Sequence, residues 1–210
     1  MKLLSVNVAL PRLVTWNDRT YASSIFKQPV EGRVKMRRLN IEGDAQGDLT
    51  FHGGLDMAVY VYSEDHYPYW QTVLKSGPLA PGAFGENLTV TGMTEETVHI
   101  GDSFAIGDAL VQVSEPRTPC HKLAMRHDRP SLPKEFLKTG LVGFYLRVLE
   151  SGEIGAGDEI TPVARDPAGL TVMEVLRIWE KKRPSPAELD RALSVPALSA
   201  KWRRQLAERS

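Results

Sequence analysis

The sequence has a single cysteine, Cys120, among its 210 residues. No disulfide can form within the chain, so its stability must come from packing, and a reducing cytoplasm is the compartment that such a composition fits. The same scarcity excludes cysteine-rich zinc and iron–sulfur centres. Excess charge is also missing. Twenty-six basic and 26 acidic residues cancel, which leaves no overall attraction to nucleic acid or to an anionic membrane. No apolar stretch approaches the roughly 20 residues of a membrane span, and the opening Met1-Lys-Leu-Leu-Ser-Val-Asn-Val-Ala-Leu-Pro11 lacks the unbroken apolar run of a signal peptide. There is no Gly-x-Gly-x-x-Gly fingerprint and no Walker-type loop, so electrons for any redox chemistry must come from outside the chain.

What the sequence does contain is an ordinary globular composition, 42% hydrophobic and 25% charged, in a chain long enough for one full domain and a small appendage. Gly-Asp pairs punctuate the first two thirds at Gly43-Asp44, Gly47-Asp48, Gly101-Asp102, Gly107-Asp108 and Gly157-Asp158, a turn chemistry that separates short extended runs. Leu3–Ala9, Gly32–Leu39, Ala58–Tyr62, Asn87–Thr91, Ala109–Ser114 and Gly143–Leu149 carry β-branched or aromatic residues, several in strict alternation, with Phe144, Leu146 and Val148 on one face. Many short strands with Gly-rich turns predict a mainly β domain with helices, closed as a barrel or sandwich. Ser63 caps a helix from Glu64 to about Lys75, and Ser131 starts another that stops at Gly140.

Composition changes at Arg165-Asp-Pro-Ala-Gly169, which divides the chain into residues 1–164 and 165–210. Beyond it, helical periodicity predicts three short helices, Thr171–Lys182, Pro186–Leu193 and Ser199–Glu208. The ten Lys/Arg and six Asp/Glu of this tail leave it at +4. That charge allows a DNA-reading helix-turn-helix, but the apolar residues suffice for a docking or dimerisation unit.

Three segments could carry chemistry. In Val113-Ser-Glu-Pro-Arg-Thr-Pro-Cys-His-Lys-Leu123, Pro116 and Pro119 hold a rigid non-helical loop, and Arg117 and Lys122 bracket the thiol with positive charge that favours the thiolate. A lone cysteine is equally well read as a small buried hydrophobe. Phe51-His-Gly-Gly-Leu-Asp-Met-Ala58 offers a histidine before glycines that admit close backbone approach to a ligand, or simply a tight turn. In Gly82-Ala-Phe-Gly-Glu-Asn-Leu-Thr89, Glu86 and Asn87 stand at a strand entrance, where they either orient ligand groups or cap a turn. His66, His99, His121 and His127 have no zinc-site spacing.

Taken in order, His52-Gly-Gly54 with Asp56, Gly82-Ala-Phe-Gly-Glu-Asn-Leu88, Ile100-Gly-Asp102 and Ser114-Glu-Pro-Arg-Thr-Pro-Cys120 resemble the MOSC-domain family of the YiiM type, from about Ser24 to Ile160. The tail from Leu170 is similar to the three-helix extension of that group. The resemblance implies a closed, barrel-like MOSC domain that binds a molybdenum cofactor, with Cys120 as the metal ligand beside the pterin dithiolene sulfurs. It places Lys27, Gly53, Gly54, Phe84, Gly85, Glu86, Asn87, Arg117, Thr118 and Lys122 around the cofactor, with Arg117, Lys122 and Lys27 toward its phosphate. Ser24 and Asn40 stand where the family commonly has glycine.

The activity implied is reduction of N-hydroxylated bases and amidoximes, driven by an external donor such as a flavin-dependent reductase. His52 would relay a proton, and Asn87 would orient cofactor or substrate. The family also implies two alternatives: sulfur transfer through a Cys120 persulfide, or a module that binds the cofactor without turnover. A pyridoxal phosphate role, sometimes attached to such domains, needs a desolvated lysine, and nothing in the sequence marks Lys27, Lys35 or Lys122 as one. Neither nucleic acid nor membrane is expected as a partner; a homodimer formed through the apolar faces of the tail is.

Overall fold

The computed structural model describes residues 1–47 and 53–209. Its strands are β1 (Lys2–Val8), β2 (Arg12–Trp16), β3 (Arg19–Ser23), β4 (Gln28–Pro29), β5 (Arg33–Met36), β6 (Val59–Ser63), β7 (Leu88–Thr91), β8 (Ser103–Ile106), β9 (Ala109–Pro116), β10 (Phe144–Glu150), β11 (Gly152–Gly155) and β12 (Ile160–Ala164). The helices are α1 (Tyr67–Leu74), α2 (His121–His127), α3 (Leu132–Thr139), α4 (Val172–Glu180), α5 (Pro186–Leu193) and α6 (Ala200–Ala207).

Among the described residues, eight strands form one sheet in the order β12-β8-β9-β10-β6-β7-β1-β4. Phe144, Leu146 and Val148 all turn inward, as their alternation predicts. The expected closure is not reached: the sheet curls into an open half-barrel. The outer edge of β1 is divided between two partners. Its C-terminal end pairs with the two-residue β4, and residues 1–3 are bonded to the turn before β12 around one bridge between Lys2 and Glu159, with the Leu3 amide donating to the Asp158 carbonyl at 2.9 Å and the Gly157 amide to the Leu3 carbonyl at 2.8 Å. No full-length strand occupies that edge, so no continuous ladder closes the ring. Turns do stand at Gly43-Asp44, Gly101-Asp102, Gly107-Asp108 and Gly157-Asp158, while Asp48 of the fifth pair lies outside the described residues. Gly101 sits at φ +96°, and a Cβ there would lie 2.4 Å from Asp166 Oδ2, so only glycine fits.

Helix starts also follow their capping residues. The Ser63 hydroxyl accepts from the Asp65 amide, but the first turn it caps, Glu64–His66, is 3₁₀ before α1 proper begins. Gly140 terminates α3 in the left-handed region. Trp70 of α1 stacks on Phe136 of α3 with ring centroids 4.1 Å apart, and Phe84 and Tyr62 pack against the same pair. Each such contact contributes about 0.5–1.5 kcal/mol beyond burial. This aromatic cluster pins both helices beneath the loop that carries Phe84. Helix α2 was not anticipated. Its apolar residues Leu123, Ala124 and Met125 are consecutive and give no helical period, and it is stopped by Asp128 in the left-handed region.

The tail folds back onto the sheet. Thr171 and Ser185 each form a capping box, at the starts of α4 and α5, and Val172, Val175, Leu176, Leu189, Trp202 and Leu206 are buried. These apolar residues are therefore packed within the chain. The seam holds an unusual group: Glu115 on β9 is 1% exposed, and among the described residues neither carboxylate oxygen has a hydrogen bond of good geometry, although the Ser199 and Trp202 side chains lie close enough to oppose the effect of burial on its pKa. Lys201 of α6 stands 3.8 Å away. Burial pushes the Glu115 carboxyl up to about 6, above its ordinary 4.5, so the folded state holds the proton more tightly than the unfolded chain does. Stability from this group is greatest below about pH 4.5 and falls as pH rises toward 6, by about 2 kcal/mol in total. Glu115→Gln removes that dependence. Denaturant melts should show the variant gaining up to about 2 kcal/mol over the parent at pH 8 and nothing at pH 4; equal differences at both pH values would refute the assignment.

Candidate functional site

Pro116 ends β9, and the Arg117 amide donates to the Gly143 carbonyl at 3.1 Å, so the segment leaves the sheet still tied to it. Cys120 is extended, and its carbonyl accepts from the Leu123 amide at 3.0 Å in the first turn of α2. The two prolines thus hold 116–120 out of helical conformation, and the helix starts immediately after the thiol. Cys120 is half-buried and free. It opens into a cleft with Gly53, Phe84, Gly85, Asn87, Arg117, Thr118, Lys122 and Lys27. His52 lies outside the described residues. Gly54 is exposed and does not line the cleft.

Arg117 is the most unusual charge in the molecule. It is 5% exposed, its guanidinium lies 5.0 Å over the Tyr60 ring, and among the described residues its Nη1 has no hydrogen-bond partner. Among the described residues no carboxylate pairs with it. A buried guanidinium with an open donor is costly unless something anionic completes it. Cys120 and Tyr145 share the cleft wall with Arg117.

The opposite wall is a buried polar chain. Lys27 pairs with Asp44, which also accepts from the Ala9 amide and from Asn87 Nδ2, both at 2.9 Å. Asn87 Oδ1 accepts from the Tyr60 amide at 3.1 Å. Both hydrogens of Asn87 Nδ2 are committed inside the protein, to Asp44 and to the Asn7 carbonyl at 3.3 Å, so this residue positions Asp44. Lys27 corrects one expectation, since it is 6% exposed and burial lowers its ammonium pKa even against the raising effect of Asp44. One lysine in the cleft is therefore desolvated, although its ammonium is spent on an ion pair.

Glu86 also differs from expectation. Its carboxylate turns away from the cleft and accepts from Tyr67 Oη, the Gly82 and Phe84 amides at 2.9 Å each, and Thr89 Oγ1 at 3.1 Å. It is a knot that shapes the Gly82–Leu88 loop. Burial raises its carboxyl above the usual range. The loop is held close by Gly85 at φ +83°, where a Cβ would stand 2.6 Å from Ile25 Cγ1. Neither Ser24 nor Asn40 needs the left-handed conformation, and Asn40 Nδ2 instead donates to the Asp44 carbonyl at 3.1 Å.

Residues 48–161 match the family described as "MOSC domain", and residues 170–209 match "YiiM-like, 3-alpha helix domain". The chain belongs to the MOSC family. It is similar to the uncharacterized protein YflK of Bacillus subtilis, 42% identical over 96% of this chain and 90% of that one. The crystal structure of YiiM from Geobacillus stearothermophilus superposes with a TM-score of 0.85 at 38% identity, covering 99% of this chain and 98% of that one. A protein of Gibberella moniliformis named "Reductase" is 38% identical over 78% of this chain, which spans 29% of that longer protein.

MOSC domains are associated with binding of the molybdenum cofactor. Several cleft residues of this MOSC protein escaped sequence reading: Ser23, Ser24, Asp44, Met57, Tyr60 and Tyr145. Asp44 was visible only as half of a Gly-Asp turn, and the tyrosines as alternating strand residues. The isolated histidines are satisfied locally. His66 meets Glu95 at 2.7 Å and His99 meets Asp102 at 3.1 Å, and among the described residues no three-ligand metal cluster exists.

Proposed function

We propose that this MOSC protein is a molybdenum cofactor-dependent reductase of N-hydroxylated compounds, of the hydroxylamino-purine or amidoxime type. The observation that carries this reading is the pairing, in one cleft, of a free thiol with a buried guanidinium that no carboxylate among the described residues pairs. A soft sulfur donor suits molybdenum, and the open Nη1 of Arg117 suits a phosphate oxygen. Cys120 would hold the metal, and Arg117 with Lys122 the phosphate. The relative named a reductase supports the redox side of the reading.

When bound, the cofactor supplies two-electron chemistry that accepts oxygen from the substrate. The net reaction breaks the N–O bond, consumes two electrons and two protons, and releases amine and water. The electrons come from an external flavin-dependent reductase. Tyr60 and Tyr145 form an aromatic wall, with ring centroids 5.5 Å apart, that would flank a planar amidine or purine. The Lys27–Asp44 pair keeps the facing wall polar, and His52 is the candidate proton relay.

Protein made in a molybdopterin-producing host should contain stoichiometric molybdenum by elemental analysis. With an artificial electron donor it should convert a hydroxylamino-purine to the amine. Metal-free protein with an extra sulfur on Cys120 in intact mass would replace this reading with sulfur transfer. Bound metal without turnover would reduce it to cofactor binding.

A further inference from the structure

The cleft wall at Gly53–Met57 is tied to the three-helix tail by two parallel routes. On the first, Arg147 of β10 spans three acceptors. It meets Asp56 Oδ1 from Nε at 2.9 Å and from Nη2 at 2.8 Å, Gln112 Oε1 from Nη1 at 2.9 Å, and the Ala197 carbonyl from Nη2 at 2.8 Å. Asp56 belongs to the 3₁₀ turn Leu55–Met57, and Ala197 to the link between α5 and α6. The second route runs through Ser114. Its hydroxyl donates to the Asp56 carbonyl at 2.5 Å, and its own carbonyl accepts from the Ser199 amide at 3.1 Å. Ser199 caps α6.

The turn therefore has few reasons of its own to stay in place. Leu55 is half exposed and Gly54 has an open left-handed backbone. Its side-chain carboxylate and one main-chain carbonyl are held by residues that also hold the tail. Gly53 and Met57 at its two ends line the cleft that contains Cys120.

We infer that the three-helix unit sets the position of the Gly53–Met57 wall through Arg147, a positioning residue, so that tail packing and access to Cys120 are coupled. Three acceptors on separate elements need the planar fork of arginine; a lysine ammonium reaches one or two of them. The inference does not depend on which cofactor the cleft holds, and its test reads the cofactor-free protein.

Cys120 is the sole thiol, so alkylation by iodoacetamide reports on the cleft without ambiguity. Arg147→Gln should raise the alkylation rate and the hydrogen exchange of 53–59 and of 195–200 together, each by roughly tenfold, the loss expected for one charge-assisted network. Arg147→Lys should recover part of both. Asp56→Asn, a milder change, should move the same two segments should Arg147→Gln not fold, and combining the two should add little beyond either alone. Exchange raised in the tail alone, with Cys120 reacting at the parent rate, would overturn the inference. So would exchange raised evenly along the whole chain.

Discussion

Cys120→Ala should yield folded protein without molybdenum, with reduction of a hydroxylamino-purine at least about a hundredfold below the parent, a loss at the upper end of what even indirect disruption of a metal site produces. The thiol is free and half-buried, so its removal costs the fold little and the unfolding midpoint should stay within about 1 kcal/mol of the parent. Loss of function with intact stability separates a ligand from a packing residue, which is the ambiguity that a lone cysteine leaves open. Cys120→Ser sharpens the result. A hydroxyl is similar in size but a harder donor, so it should fail to hold the metal as well. Full metal content and turnover in the alanine variant would remove Cys120 from the site, and the proposal would then rest on Arg117 alone.

The second large effect concerns stability. Glu86→Ala should destabilise the protein by about 3–5 kcal/mol, lowering the thermal midpoint by roughly 10 °C for a chain of this size. The carboxylate accepts four hydrogen bonds, two from backbone amides, and is completely buried. Deleting it strands the Phe84 amide away from water and leaves the Gly82 amide only its longer bond to Thr89 Oγ1, at 3.3 Å. Glu86→Gln retains the shape but sets its amide hydrogens against donors, because every partner of Glu86 donates; it should fall between alanine and the parent. The Gly82–Leu88 loop carries Phe84, Gly85 and Asn87 into the cleft, so cofactor retention should fall with stability. A glutamine variant as stable as the parent would show that the knot tolerates a neutral group, as its raised carboxyl pKa allows.

Local signals placed most elements. Ser63, Thr171, Ser185 and Ser199 begin helical segments because a side-chain oxygen satisfies an otherwise open amide. Pro186–Leu193 has the predicted bounds, and Gly140 ends α3 as expected. Helix α2 was missed because its three buried residues, Leu123, Ala124 and Met125, are consecutive and so give no helical period. The β2–β3 hairpin was missed because it lies apart from the main sheet, and its Leu13 is exposed where alternation would have marked a core position.

The functional residues divide along the same line. Cys120, Arg117 and Lys122 are neighbours in sequence, so their composition alone suggested charged surroundings for a thiol. Asp44, Tyr60 and Tyr145 come from separate stretches, and only the curl of the sheet brings them to one cleft. The direction of a side chain was equally invisible. Glu86 and Asn87 are adjacent, yet Glu86 turns inward to knot its loop while Asn87 reaches Asp44, 43 residues away.

The turns, the helix caps, the rigid Pro116–Cys120 segment and the family to which they add up were legible from the residues alone, because each depends on backbone preferences settled within a few positions. Packing alone leaves the barrel open, desolvates Lys27, buries Arg117 with no carboxylate beside it among the described residues, and lets the tail reach the cleft wall through Arg147. Those outcomes depend on burial and on contacts between distant segments, and neither exists until the chain has packed.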